Sequence, residues 1–371
     1  MTPPRLPGED RTRLTELSGT AVFGFFSALF SDAMAARSHP RARLPAPVRP
    51  GDRVGVAALS GPVDPDRLAR GMAALRDLGF EPVPAYNLER TAEQGLFAGS
   101  DGERLEAFHR LAADPSLAAI IFARGGHGVL RVLSGIDWPL LARRPRAYVG
   151  YSDLTPFLLE IVRRLGVVAF HGPMVAADLA RGLTAAERRS FLDSLAGRFP
   201  QELPLAGVLP GAGPDPVEGP LLGGCLSLLT STLATPWAVD PVDALLFWED
   251  VDEPLYRVDR MLTQLALSNA LSEIRAMILG HVGLPEAAPG AVEAETVSEE
   301  AGHGSGDGED FEPRRSRLVT WLGEGPAGRL GCPVAWGLEA GHRAPNRTLP
   351  LGLTARLEPQ RRRLVLLCDP A

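Results

Sequence analysis

The chain has 371 residues, of which 45% are hydrophobic and 22% charged, enough to bury a large core in two domains without disulfide or metal staples. Its net charge of −7 is uneven: residues Pro285–Pro313 hold nine acidic residues and no Lys or Arg, so removing that −9 leaves +2 on the rest. The concentrated basic charge that nucleic-acid binding needs is therefore missing. Cys225, Cys332 and Cys368 are too few and too scattered for a disulfide framework or a CxxC metal site.

Residues 1–43 read as an N-terminal extension. Ala21–Phe30 is apolar over a length that suits a signal-peptide core, but Glu9, Asp10 and Glu16 precede it, where such a peptide prefers positive charge. The segment is too short to span a bilayer. We read it as an N-terminal helix or a disordered arm, with export as the alternative. No other stretch suggests a membrane span.

The ordered pattern starts near Leu44. Val54–Leu59 is a short buried strand, and Asp64-Pro65 supplies an N-cap and a first-turn proline for a helix that Gly79 closes. Phe80–Val83 is extended, Ser100–Ala112 is a helix, and Ala118–Ala123 is a buried strand. Ala147–Tyr151 is a strand, Leu154–Leu165 a helix, and Val167–Phe170 another apolar run of strand length. This alternation predicts an α/β domain over residues 44–199, with a mostly parallel sheet, flanking helices and binding loops at the carboxyl ends of the strands.

Residues 200–220 are rich in Pro and Gly and read as a linker. In the second domain, 221–371, the pattern predicts a strand at Ala244–Trp248, a helix from Arg257 to about Ala270 and a strand at Ile274–Leu279. Residues 285–313 read as a disordered acidic insertion, and Leu351–Cys368 as a hairpin.

Four clusters can carry chemistry. In Ala147-Tyr-Val-Gly-Tyr-Ser-Asp-Leu-Thr155 a serine follows a strand and precedes a helix. Such a serine either caps the helix or is presented as a nucleophile beside free backbone N–H groups. Arg124-Gly-Gly-His-Gly128 also follows a strand, and its glycines suit a close backbone approach to a ligand or a plain tight turn. Its spacing fits neither a P-loop nor GxGxxG. Glu249 and Asp250 end an apolar strand, where a carboxylate can orient an imidazole or pair with Arg257 or Arg260. His342 lies in a loop punctuated by Gly and Pro; His171 and His281 also follow strands and rival it as a base by position alone. No HExxH or zinc-like spacing occurs, and no metal or other cofactor is expected.

Taken in this order, the clusters resemble the LD-carboxypeptidase family of serine peptidases. Gly-Tyr-Ser-Asp-Leu-Thr at 150–155 looks like its nucleophile motif. Glu249-Asp-Val-Asp-Glu with Tyr256, Asp259 and Arg260 looks like its acidic motif, and Gly341-His342 with Leu349-Pro-Leu-Gly352 like its histidine motif. Arg124–Gly128, His171-Gly-Pro-Met174 and Gly223-Gly224 also fit. The resemblance runs from about Leu44 to Leu367. It implies Ser152 as nucleophile, His342 as general base and Glu249 as its orienting acid. It further implies an oxyanion hole from the backbone N–H groups of Asp153 and Gly126, with Arg124, Gly125, His127 and Tyr151 as substrate-binding candidates.

The same resemblance implies a smaller β-rich C-terminal domain, with the site in the cleft between the domains. The chain would be a cytoplasmic homodimer acting on small peptides, without nucleic-acid or membrane partners. Two substrate classes follow: peptidoglycan tetrapeptides ending in a D-residue, or, as in microcin C self-immunity enzymes, peptidyl or aminoacyl nucleotides. A binding protein without catalysis is the third alternative, which the intact Ser152, Glu249 and His342 oppose. His127 stands where the family usually has an aromatic residue, Cys225 where it often has Asn, and Ala234 where it often has Gly. These departures bear on the substrate more than on the three central residues.

Overall fold

The computed structural model describes residues 42–209, 213–283, 320, 322–325 and 331–368, and all of them lie in one unit spanning His39–Ala371. The acidic insertion 285–313 and all but the last two residues of the N-terminal extension lie outside the described residues.

The first half alternates as its pattern predicts. Strand β1 is Arg53–Ala57, β2 Glu81–Pro84, β3 Leu117–Phe122, β4 Ala147–Gly150 and β5 Ala169–His171. They lie side by side in the order β5-β4-β3-β1-β2, every pair parallel. Local chemistry starts the helices between them. Asp64 caps Pro65–Asp77 by accepting the Arg67 N–H at 2.7 Å, and Ser100 with Glu103 forms a capping box at the head of Asp101–Ala113. Helix Thr155–Leu165 is buried from Thr155 to Val162, and Phe157 sits at the centre of an aromatic cluster with Phe108, Phe122 and Tyr148.

The proline- and glycine-rich stretch 200–220 does more than connect. It contributes β6 (Gln201–Pro204) and β7 (Gly207–Val208), and β8 (Val217–Cys225) begins within it. β9 (Leu245–Asp250), β10 (Ala276–Val282) and β11 (Val334–Trp336) follow; β8 to β11 form a parallel centre. Then come β12 (Leu349–Leu351), β13 (Thr354–Glu358) and β14 (Arg363–Leu366). The second sheet reads β6-β14-β13-β8-β9-β10-β11-β7, with antiparallel strands on both flanks. β13 and β14 form the hairpin expected near the C-terminus.

β12 does not join the second sheet. It pairs antiparallel with β5 of the first, Leu349 opposite His171, so the chain crosses from one sheet to the other just after His342. That crossing positions the site.

Candidate active site

Three loops meet at the carboxyl ends of β1, β3 and β4, where the strand order of the sheet reverses, a common place for ligand sites. Gly61 N–H donates to Gly125 O at 3.2 Å. The Asp153 carboxylate accepts the Ser60 hydroxyl at 2.6 Å and the Val129 N–H at 2.8 Å. Burial pushes the Asp153 carboxyl above the usual range, against these hydrogen bonds.

Ser152 follows β4 with a φ of 63°, in the left-handed region that non-glycine residues enter at a cost. This sharp turn between strand and helix is what the sequence around it predicts, and it lifts the side chain out of the sheet. Thr155 fixes the turn from below: its hydroxyl donates to Ser152 O at 2.7 Å and accepts the Cys225 N–H of β8 at 3.0 Å. Gly125 leaves room for the serine, since a Cβ there would lie 2.8 Å from Ser152 Cβ and 3.0 Å from its Oγ.

Glu249 ends β9 and is wholly buried. Its Oε2 stands 2.6 Å from His342 Nδ1, and His342 Nε2 stands 3.0 Å from Ser152 Oγ. The three residues that the resemblance singles out thus meet in one line of contacts. Burial raises the Glu249 carboxyl, while the facing imidazole works against that rise. For His342, burial disfavours the imidazolium, but the Glu249 carboxylate outweighs it and holds the ring above the ordinary histidine value. Gly341 makes this pairing possible: with φ 121°, a Cβ there would fall 2.6 Å from Glu249 Oε2.

The rivals separate cleanly. His171 is completely buried, neither ring nitrogen has a hydrogen-bond partner among the described residues, and burial pushes it down to about 3. His281 is lowered to about 4, again chiefly by burial. Asp250, beside Glu249, is committed to the Ser227 and Val251 N–H groups.

The other site candidates differ in what they face. The Arg124 guanidinium donates to Pro62 O at 2.9 Å and is matched by no carboxylate among the described residues. The position of a Cβ on Gly126 lies 3.6 Å from its Nη2. His127 is exposed, with its ring 4.9 Å from that of Phe97. Tyr151 is buried, with its ring edge-on to His342 at 5.0 Å. Cys225 is buried beside Asp250, and Ala234 holds a left-handed φ of 59°, the conformation that a glycine adopts freely.

The sequence reading missed Thr155, Asp178, Glu187 and Asn346, all of which tie the site together. Thr184 and Glu187 form a capping box on helix Ala185–Leu195, and that spacing was a readable signal for the helix. Nothing local to Asp178 or Asn346 announces a role. Among the described residues no group of His, Cys, Asp and Glu is arranged to hold a metal ion.

A turn-borne serine facing an imidazole and a buried carboxylate, on a two-sheet α/β fold, has the features of a serine-type hydrolase. The comparisons narrow that class. The family model for the LD-carboxypeptidase N-terminal domain matches residues 54–172, and the model for the C-terminal domain matches residues 218–357. The chain belongs to the LD-carboxypeptidase family and is a serine-type LD-carboxypeptidase.

It is 32% identical over 302 residues to the murein tetrapeptide carboxypeptidase of Pseudomonas aeruginosa, covering 78% of this chain and 89% of that protein. The crystal structure of muramoyltetrapeptide carboxypeptidase from Oxalobacter formigenes superposes with a TM-score of 0.69 at 29% identity, over 86% of this chain and 100% of that one. The microcin C7 self-immunity protein MccF of Escherichia coli is 25% identical over 357 residues, covering 88% of this chain and 95% of MccF. A solved MccF complex holds glutamyl sulfamoyl guanosine and shares the fold, with a TM-score of 0.71 at 21% identity over 89% of this chain and 99% of that one.

Proposed function

We propose that this protein hydrolyses the amide bond between an L-centre and a C-terminal D-amino acid in murein-derived tetrapeptides, through an acyl-enzyme on Ser152. The observation that carries this reading is the chain of contacts from Ser152 Oγ to His342 Nε2 at 3.0 Å and from His342 Nδ1 to Glu249 Oε2 at 2.6 Å. A serine hydroxyl is a weak nucleophile until a base takes its proton. His342 takes it as Oγ attacks the scissile carbonyl, and Glu249 stabilises the imidazolium that forms. The N–H groups of Asp153 and Gly126 receive the developing oxyanion. The C–N bond then breaks, His342 returns the proton to the leaving amine, and water enters to hydrolyse the ester by the same route.

Arg124 is the candidate anchor for the free carboxylate that distinguishes a carboxypeptidase substrate, because its own charge has no carboxylate partner among the described residues. Gly125 leaves space beside the nucleophile, His127 is the candidate at the open edge, and Tyr151 supports the histidine from behind.

One fact favours a murein peptide over a peptidyl nucleotide: the relative named for murein tetrapeptide is more similar to this chain than MccF is. A cytoplasmic homodimer belongs to the same reading by family resemblance. No helix among the described residues is long and apolar enough to cross a membrane.

The deciding experiment is mass spectrometry of products from a panel of muropeptides and aminoacyl nucleotides. Release of one D-alanine from the tetrapeptide, with the nucleotides untouched, is the expected result. Cleavage of the nucleotides alone would replace the murein reading with the self-immunity one.

A further inference from the structure

The loop that carries His342 leaves the second sheet at β11, yet it is tied down on the first half of the chain. Asn346 is fully buried and makes three contacts, one within the loop and two on the first half. Its Oδ1 accepts the N–H of Gly341, the residue before His342, at 3.0 Å. Its own backbone N–H donates to Glu187 Oε1 at 2.7 Å, and its Nδ2 lies 3.4 Å from Asp178 Oδ1.

The two carboxylates are themselves held. Glu187 accepts the Thr184 N–H and the Arg181 guanidinium, each at 2.6 Å. Asp178 accepts the Met174 N–H at 3.0 Å, with Arg181 at 3.7 Å. A second tie lies two residues on, where Thr348 N–H donates to Ser190 Oγ at 3.0 Å. This set of buried groups reaches His342 through the Gly341 backbone.

We propose that Asn346, held by Glu187 and Asp178, is a positioning residue that keeps the His342 imidazole within hydrogen-bonding reach of Ser152. This rests on the Ser152–His342 chemistry proposed above. The loop needs such a device, because glycines at 337 and 341 carry positive φ and give its backbone little stiffness of its own. The bond from Asn346 to Gly341 closes the turn around residue 342, and a displacement of about 1 Å in a reacting group costs roughly 10²-fold in rate. Buried polar groups are costly unless every member is satisfied, so a network of this kind fixes one arrangement of the loop against its alternatives.

The test compares wild type, Asn346→Ala, Asn346→Asp and Asp178→Asn for tetrapeptide hydrolysis, thermal unfolding and the NMR signal of the His342 ring N–H. Asn346→Ala is expected to unfold cooperatively, keep KM within about threefold and lose about 10²-fold in kcat. Asn346→Asp keeps an acceptor for the Gly341 N–H and, because its carboxyl and that of Asp178 lie too close for both to ionise, shares one proton with Asp178; it should recover at least about tenfold of that loss. The His342 signal should shift or broaden in the alanine variant and return in the aspartate variant.

A folded Asn346→Ala protein with wild-type kcat and an unchanged His342 signal overturns the proposal. So does a loss of kcat that only follows the folded fraction in both Asn346 variants. Should Asn346→Ala not fold, the isosteric Asp178→Asn decides: about tenfold lower kcat at constant KM upholds the role, and wild-type kcat removes it. A wild-type protein that leaves the tetrapeptide intact counts against the murein reading, and the His342 signal then tests the positioning role by itself.

Discussion

Ser152 and His342 face each other across 3.0 Å, and the chain holds them there by opposite means. The backbone of the serine turn comes from neighbours in sequence, namely strand β4, a left-handed residue 152 and a helix that begins at Thr155, with support from Gly125 and Cys225 in other segments. The histidine loop has no regular structure of its own. Its placement depends on Glu249, 93 residues earlier, on Asn346 bonded to a glutamate 159 residues earlier, and on β12 pairing with a strand of the other sheet. On the proposed mechanism, local backbone strain presents the nucleophile, whereas long-range contacts place its base. Changes on the serine side should therefore remove chemistry at one atom, and changes on the histidine side should loosen an arrangement.

The largest effect tests the serine side. Ser152→Ala should lower kcat by about 10⁶-fold with the fold retained, as expected when a nucleophile is deleted. Circular dichroism and a tetrapeptide assay check this, and substantial turnover in the folded variant would remove the mechanism.

Next comes the far end of the relay. Glu249→Gln should cost about 10⁴-fold in kcat, because the amide no longer fixes the imidazole tautomer or its charge. It should also move the pH profile. His342 must be neutral to accept the serine proton, and its affinity for protons is raised, so wild-type kcat/KM should fall away as pH drops through a value above the usual 6.5 or so. Removing the Glu249 charge should carry that acid limb to lower pH. A limb that stays in place would mean that another group controls it.

Gly341→Ala probes the histidine side more gently. The added Cβ would lie 2.6 Å from Glu249 Oε2 and must push it away from His342, with about a 10²-fold loss of kcat expected at nearly constant KM. An unchanged kcat would show that the loop absorbs the methyl group elsewhere.

The smallest effect concerns stability alone. His171 stays neutral in the fold down to about 3 but gains a proton near 6.5 when unfolded. Its depressed value therefore stabilises nothing at acid pH: above about 6.5 it is silent, and stability is lost progressively as pH falls below that toward 3. Both its nitrogens lack partners among the described residues and its ring packs against Phe247 and Tyr151, so His171→Phe should be neutral at pH 8. At pH 5 the variant should be more stable than wild type by about 2 kcal/mol, read from denaturant melts at the two pH values. Equal acid sensitivity in the two proteins would show that His171 does not titrate in this way.

Much of the first half was legible because its signals are local. Asp64-Pro65 and the Ser100–Glu103 pair mark helix starts through hydrogen bonds that reach only three residues. Short apolar runs give buried strands wherever helices cover both faces of the sheet. The second half was harder to read. The proline and glycine of 200–220 suit a linker, but β6 and β7 are short flanking strands, a place where such residues are tolerated. The hairpin pattern starts at Leu351, and only tertiary pairing assigns Leu349–Leu351 to the first sheet. Among the acids that end β9, sequence alone could not favour Glu249 over Asp250; burial and the approach of His342 did.

The sequence alone determined the strand–turn–helix that presents Ser152, since caps, turns and apolar periodicity act over a few residues. It also carried the ordered motifs that mark the family. The motifs pointed to His342 and Glu249 only through the family resemblance; that the two side chains meet, and what holds their loop in place, were decided by the tertiary structure. Those contacts join groups more than 90 residues apart, and composition and spacing do not record them.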